Sequence, residues 1–136
     1  MPVTPHPYSK LLPLSGGASF APQVYQVSPD KLIAGNPQQS LWIEFESPDK
    51  QFCVGIWASE PGEWRVNYTE QEYCAILDGV NILTDAQGNS QEFGPGSEFV
   101  VPSGFSGTWR VTEATRKRFV IFDQAIQQPV GADVDG

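Results

Sequence analysis

From Leu41 to Phe122 the apolar positions come in short bursts separated by Gly, Pro, Asp and Asn. Leu41-Trp42-Ile43-Glu44-Phe45-Glu46 alternates apolar and acidic over its later part, the period-two pattern of a half-buried strand. Phe52-Cys53-Val54-Gly55-Ile56-Trp57 is apolar throughout, which predicts a strand covered on both faces. Glu63 to Tyr68 alternates again and places Trp64, Val66 and Tyr68 on one side. Glu72 to Leu77 and Val80 to Leu83 read as two strands divided at Gly79, where the chain bends. Asp85-Ala86-Gln87-Gly88 is a hairpin turn, and Gln91 to Phe93 leads into the reversal Gly94-Pro95-Gly96. Glu98 to Val101, Gly107 to Thr112 and Lys117 to Phe122 complete the set. Pairing is expected to stop at Pro102, which has no amide hydrogen to donate. Short strands at this spacing predict an all-β sandwich or barrel. One turn of helix is expected over Ser28 to Ile33, with Pro29 at its first position.

The ends break this rhythm. Residues 1–22 are rich in Pro, Ser and Gly and read as an extended or flexible arm, and residues 124–136 as a flexible, acidic tail. Residues 23–123 between them form the expected barrel. A chain of 136 residues is one domain, long enough for a core without metal or disulfide support. The net charge of −8 repels phosphate backbones and anionic lipid. Arg116-Lys117-Arg118 is the one basic run, so neither nucleic acid nor membrane is expected as a partner. No apolar run approaches the roughly 20 residues that cross a bilayer, and residues 1–22 lack the basic and apolar regions of a signal peptide. The expected compartment is therefore the cytoplasm, where Cys53 and Cys74 would be free, buried thiols.

Two stretches carry a recognisable pattern. The first runs from Trp57 through Pro61-Gly62-Glu63-Trp64 to Glu72 and Leu77-Asp78-Gly79. The second starts at Gly96 and continues through Pro102-Ser103-Gly104-Phe105-Ser106-Gly107-Thr108-Trp109 to Arg116-Lys117. Together they resemble the two motifs of the cupins, in the subgroup related to the (S)-ureidoglycine aminohydrolase cupin domain. The resemblance spans Trp57 to Phe122 and implies a small double-stranded β-helix, the cupin or jelly-roll barrel. It also implies a metal held by two histidines and a glutamate from the first motif and a histidine from the second. Glu72, seven residues before Gly79, holds the glutamate position. The first-motif histidine positions fall on Val66 and Tyr68, or on Arg65 and Asn67, and the second-motif position falls on Gly107. The single histidine of the chain, His6, lies in the arm. No histidine-ligated metal is expected, and Glu72 is the one retained ligand position.

Within this frame Tyr68, Glu70 and Glu72 alternate and would share a strand face. They could hold a hard divalent cation, or the acids could pair with Arg65, Arg110 or Lys117, since an unpaired buried carboxylate is costly. Cys74 follows on the same face, as a small apolar filler or, given a base or cation beside it, a nucleophile. The barrel has no Ser/His/Asp or Cys/His arrangement, because it has no histidine. Trp42, Trp57, Trp64 and Trp109 are expected to fill the barrel, with one or two facing a pocket. The pocket candidates are Glu72, Tyr68, Glu70, Arg65, Trp109, Lys117 and Cys74; Lys117 reads alternatively as a solvated strand end. Three functions follow. One is a barrel that binds a polar small molecule without the usual metal. The second, implied by the resemblance, is a metal-dependent enzyme on a small nitrogenous metabolite. The third is a structural or regulatory homodimer, built where open strand edges need cover.

Overall fold

The computed structural model describes residues 10–124. Its strands are β1 (Gln23–Gln26), β2 (Leu32–Ala34), β3 (Gln38–Glu46), β4 (Phe52–Ser59), β5 (Gly62–Asn67), β6 (Gln71–Asp85), β7 (Ser90–Phe93), β8 (Glu98–Val101) and β9 (Ser106–Phe122). All pairings are antiparallel, and the strand order across the sheet runs β1-β3-β4-β9-β5-β2, with β6, β7 and β8 joined to it through the β6–β9 pairing. The chain is all-β, as its pattern predicts, and the sheet curls into the cupin jelly roll. Among the described residues no helix is long and apolar enough to cross a membrane.

Two long strands hold the barrel together. β9 pairs with β6 along almost its whole length, while its other edge pairs first with β5 and then with β4. β6 in turn carries β8 against Glu72–Ala75 and β7 against Asn81–Thr84. The expectation of separate strands on either side of Gly79 is therefore corrected: β6 is one strand with a sharp bend. The bend coincides with three register shifts against β9 between Ile76 and Asn81. Gly79 has φ +81, and a Cβ there would stand 2.2 Å from the Ala114 carbonyl oxygen, so this bend is open only to glycine. Gly107–Thr112 and Lys117–Phe122 likewise merge into β9. Local pattern marked these bends as breaks because it cannot register hydrogen bonds that continue through them.

Other expectations are corrected nearby. Over Ser28 to Ile33 the chain makes a hydrogen-bonded turn at Ser28–Lys31 rather than a turn of helix, with Lys31 and Leu32 amides both donating to the Ser28 carbonyl. The chain leaves that turn as β2, which pairs with β5. Phe52–Trp57 is covered on both faces only at Val54–Ile56; Phe52 is 40% exposed and Cys53 half-buried. The arm is described from residue 10. Ser15 and Gly16 amides donate to Glu44 Oε2 at 2.7 and 2.9 Å, and Trp42 Nε1 donates to the Phe20 carbonyl at 3.1 Å. His6 and residues 125–136 of the expected tail lie outside the described residues.

The core gathers Trp64, Cys74, Leu83, Val101, Trp109 and Val111. At the bend of β6 it admits one polar cluster. Asn81, fully buried, accepts from Trp109 Nε1 at 2.9 Å and donates to Thr115 Oγ1 at 2.7 Å, and Thr115 donates to the Asp78 carbonyl at 2.8 Å. Each of these buried groups has a partner, so the cluster fixes the bend instead of weakening it.

Candidate functional site

Strand alternation decides what the basic run does. On β9, Lys117 points inward with Trp109, Val111 and Phe119, while Arg116 and Arg118 turn the other way. Arg118 pairs with Glu44 at 2.5 Å, and the Arg116 guanidinium lies 5.3 Å over the Trp42 ring. The reading of Lys117 as a solvated strand end is thus corrected. Its side chain is 5% exposed and so is that of Glu72, whose Oε2 accepts from Lys117 Nζ at 2.9 Å. Cys74 Sγ lies 3.5 Å from the same nitrogen. The rings of Trp109 and Trp57 stand 4.2 and 4.8 Å from it. One buried ammonium is therefore surrounded by a carboxylate, a thiol and two indole faces.

Above this centre opens a cavity of about 270 Å³. Six of the seven sequence candidates line it: Glu72, Tyr68, Glu70, Arg65, Trp109 and Lys117. The seventh, Cys74, is fully buried and meets the site from behind through Lys117. The expected shared strand face of Tyr68, Glu70 and Glu72 is corrected. β5 ends at Asn67 and β6 begins at Gln71, so Tyr68 and Glu70 come from the connection between them, and of the three only Glu72 stands on β6, where it shares a buried face with Cys74 and Ile76. The connection is held by Tyr68 backbone, whose amide donates to the Phe105 carbonyl and whose carbonyl accepts from Gly104. Arg65 is exposed and donates to the Asp30 carbonyl at 3.3 Å, which places it at the cavity mouth.

The sequence reading missed the wall supplied by the first strands. Tyr25 and Val27 reach the cavity from β1 and its end, Lys31 from the turn, and Gln39 and Leu41 from β3. Tyr25 Oη accepts from Trp57 Nε1 at 3.1 Å. The only local sign of this wall is the strand-favouring pair Val24-Tyr25, too short to stand out beside the proline-rich arm.

The electrostatics follow from burial. Burial works against the Lys117 charge, but the Cys74 sulfur and the Glu72 carboxylate beside it outweigh this and hold its pKa above the ordinary lysine value. Burial pushes the Cys74 thiol up to about 12, and burial together with the Glu72 charge pushes the Tyr68 phenol well above its usual range. Burial also raises the Glu70 carboxyl, against a hydrogen bond from Thr69 that lowers it. Cys74 is thus a neutral thiol and not an activated nucleophile.

The raised values of Cys74 and Lys117 have the same consequence. The folded state keeps its protons on Cys74 and Lys117 after the unfolded chain has begun to lose them, so the stability they confer is complete at neutral pH and falls as pH rises. Unfolding free energy is expected to decline from about pH 9 toward the Cys74 value of about 12. The Cys74 share of the slope is about 1.4 kcal/mol per pH unit at most. Urea denaturation across alkaline pH measures it, and the slope should shrink in Cys74→Ala; an unchanged slope would count against the assignment.

The metal implied by the cupin resemblance needs imidazole donors around Glu72. The positions offered are Val66, Tyr68, Arg65, Asn67 and Gly107, and Glu72 itself faces an ammonium at 2.9 Å. Among the described residues no group of three or more His, Cys, Asp or Glu side chains is placed to hold a metal ion. This donor set does not fit a histidine-ligated metal.

Comparison with known proteins places the fold. A protein of unknown function of the DUF861 family, from Pseudomonas syringae pv. tomato str. DC3000, superposes with a TM-score of 0.69 at 22% identity, over 76% of this chain and 45% of that one. This chain therefore spans less than half of that protein. The EutQ protein of Clostridium difficile gives 0.58 at 16% identity, over 74% of this chain and 81% of that one. A candidate ethanolamine utilization protein Q from Salmonella typhimurium LT2 gives 0.57 at 12% identity, over 77% of this chain and 98% of that one. At these identities the likeness speaks for fold alone. No curated protein matches the chain. The sequence profile of the EutQ-like cupin domain matches residues 46–119, more than half of the chain and the part that carries both motifs, and the chain accordingly belongs to the EutQ-like cupin domain family.

Proposed function

We propose that this cupin domain binds a polar small molecule in its barrel and does so without a histidine-ligated metal. The observation that carries this reading is the cavity of about 270 Å³ with the Lys117–Glu72 pair in its floor. Aromatic and aliphatic side chains line the cavity together with a few polar and charged groups, the usual make-up of a small-ligand site. Where the cupin resemblance implies a metal beside the glutamate, this chain sets the Lys117 ammonium against Glu72. Two free thiols suit a cytoplasmic setting. The outer edge of β1, with Val24 56% exposed, suits a homodimer that covers it.

Elemental analysis and native mass spectrometry of the purified full chain test the reading. The expected result is a folded protein with far less than one transition metal per chain. One bound transition metal per chain, lost in Glu72→Ala, would overturn it. The second reading, a ureidoglycine aminohydrolase-like enzyme, draws on the retained Glu72 and on the subgroup resemblance, and the missing imidazoles weigh against it. Ammonia release from ureidoglycine with added manganese, abolished by Glu72→Ala, would establish that reading in place of the first.

A further inference from the structure

The distribution of charge around the cavity narrows the ligand class. The chain carries eight basic and sixteen acidic side chains, yet three of the eight bases line this cavity (Lys31, Arg65 and Lys117) and only two of the sixteen acids (Glu70 and Glu72). A strongly acidic protein has thus made one concave surface net positive. The charges are also sorted by depth. Lys117 and Glu72 neutralise each other in the floor, and the floor ammonium is already enclosed by Cys74 and two indoles. Lys31, half-buried, and Arg65, exposed, remain at the mouth, with no ion pair between either of them and an acid among the described residues. Arg65 commits one N–H to the Asp30 carbonyl and has further donors for a ligand. The rest of the lining mixes the apolar side chains Val27, Leu41, Trp64 and Val66 with Tyr25, Gln39, Tyr68 and the buried Glu70.

We infer that the ligand is a compact organic anion: its carboxylate or comparable anionic group sits at the mouth between Lys31 and Arg65, and its planar or apolar body fills the space above the Lys117–Glu72 floor. The inference rests on the proposed ligand-binding role and adds to it the sign of the ligand's charge and the residues that read it. A guanidinium offers two parallel donors to such a group, and the low-dielectric walls strengthen the field that meets it.

Three probes of one shape and different charge test this: benzoate, benzamide and benzamidinium, titrated into the full chain and followed by tryptophan fluorescence and calorimetry. Benzoate is expected to bind tightest, by about tenfold over benzamide for two partly solvated charge contacts. Its advantage should shrink as salt is added. Lys31→Ala/Arg65→Ala should erase the preference for benzoate over benzamide, and a preference that survives the double variant would overturn the assignment of these two residues. Equal or tighter binding of benzamide or benzamidinium would overturn the anion assignment and leave the ligand-binding role standing. Failure of all three to bind would overturn both.

Discussion

Gly107→Ala is expected to destabilise the barrel by at least about 4 kcal/mol, and Gly107→His to prevent folding. Gly107 lies where β9 is paired on both sides, opposite Asp85 of β6 and Val66 of β5. A Cβ built there would stand 1.8 Å from the Thr84 carbonyl oxygen, 2.9 Å from its carbon and 3.1 Å from the Asp85 Cα. All three are backbone atoms, so no rotamer change can clear the space. β6 and β9 would have to separate where the two strands that hold the barrel meet. The cost is the overpacking penalty plus lost ladder hydrogen bonds. This has a functional meaning, because Gly107 is the position at which the motif would carry its metal-ligating histidine. The backbone has closed over that position, so the missing ligand cannot be restored by a single substitution. Urea denaturation of Gly107→Ala, followed by circular dichroism, checks it; a loss below about 0.5 kcal/mol, the range of an ordinary surface change, would mean the position is open after all.

How far the sequence leads depends on the range of the interaction. Gly88, Gly96 and Gly104 all take positive φ at turns that the dipeptides around them foretell, because turn chemistry is local. Pro102 ends β8 for the same reason. The two long strands were misread as four because a bend and a break look alike until the partner strand is known. Asn81 gave no sign of its importance, since its value lies in Trp109 and Thr115, which are distant in sequence. The site was legible in part. Glu72 stood at a motif position and Trp109 in a motif, and both line the cavity. Lys117 was harder: its neighbours Arg116 and Arg118 suggest solvent, and only the inward register of β9 reveals a buried cation. Tyr25 and Lys31 were invisible as site residues because they arrive from the first strand and the turn after it, well before the motifs begin.

Loss of either partner of the Lys117–Glu72 pair should be the most damaging change within the cavity itself. With both side chains 5% exposed, the pair has given up most of its hydration, and its own 2.9 Å contact, together with the thiol and indole neighbours of Lys117, compensates for that loss. Lys117→Met keeps the length of the side chain but leaves the Glu72 carboxylate buried without its cation. The expected cost is about 3–5 kcal/mol. Glu72→Gln should be milder, about 2–3 kcal/mol, since an amide oxygen still accepts from the ammonium and the lost term is the charge assistance of that bond. Removing both charges together is a different matter, because a well-packed apolar replacement carries no desolvation penalty.

The central claim is that the polar centre of this barrel is organised by the protein's own ammonium, Lys117, in contact with the retained motif glutamate. The most direct test is a double-mutant cycle on unfolding free energy, with Lys117→Met, Glu72→Met and the pair combined. The account predicts that each single variant is strongly destabilised and that the double variant loses less than the sum of the two, by a coupling of about 2–3 kcal/mol. Additive losses in the double variant, or a Lys117→Met protein as stable as its parent, would contradict it.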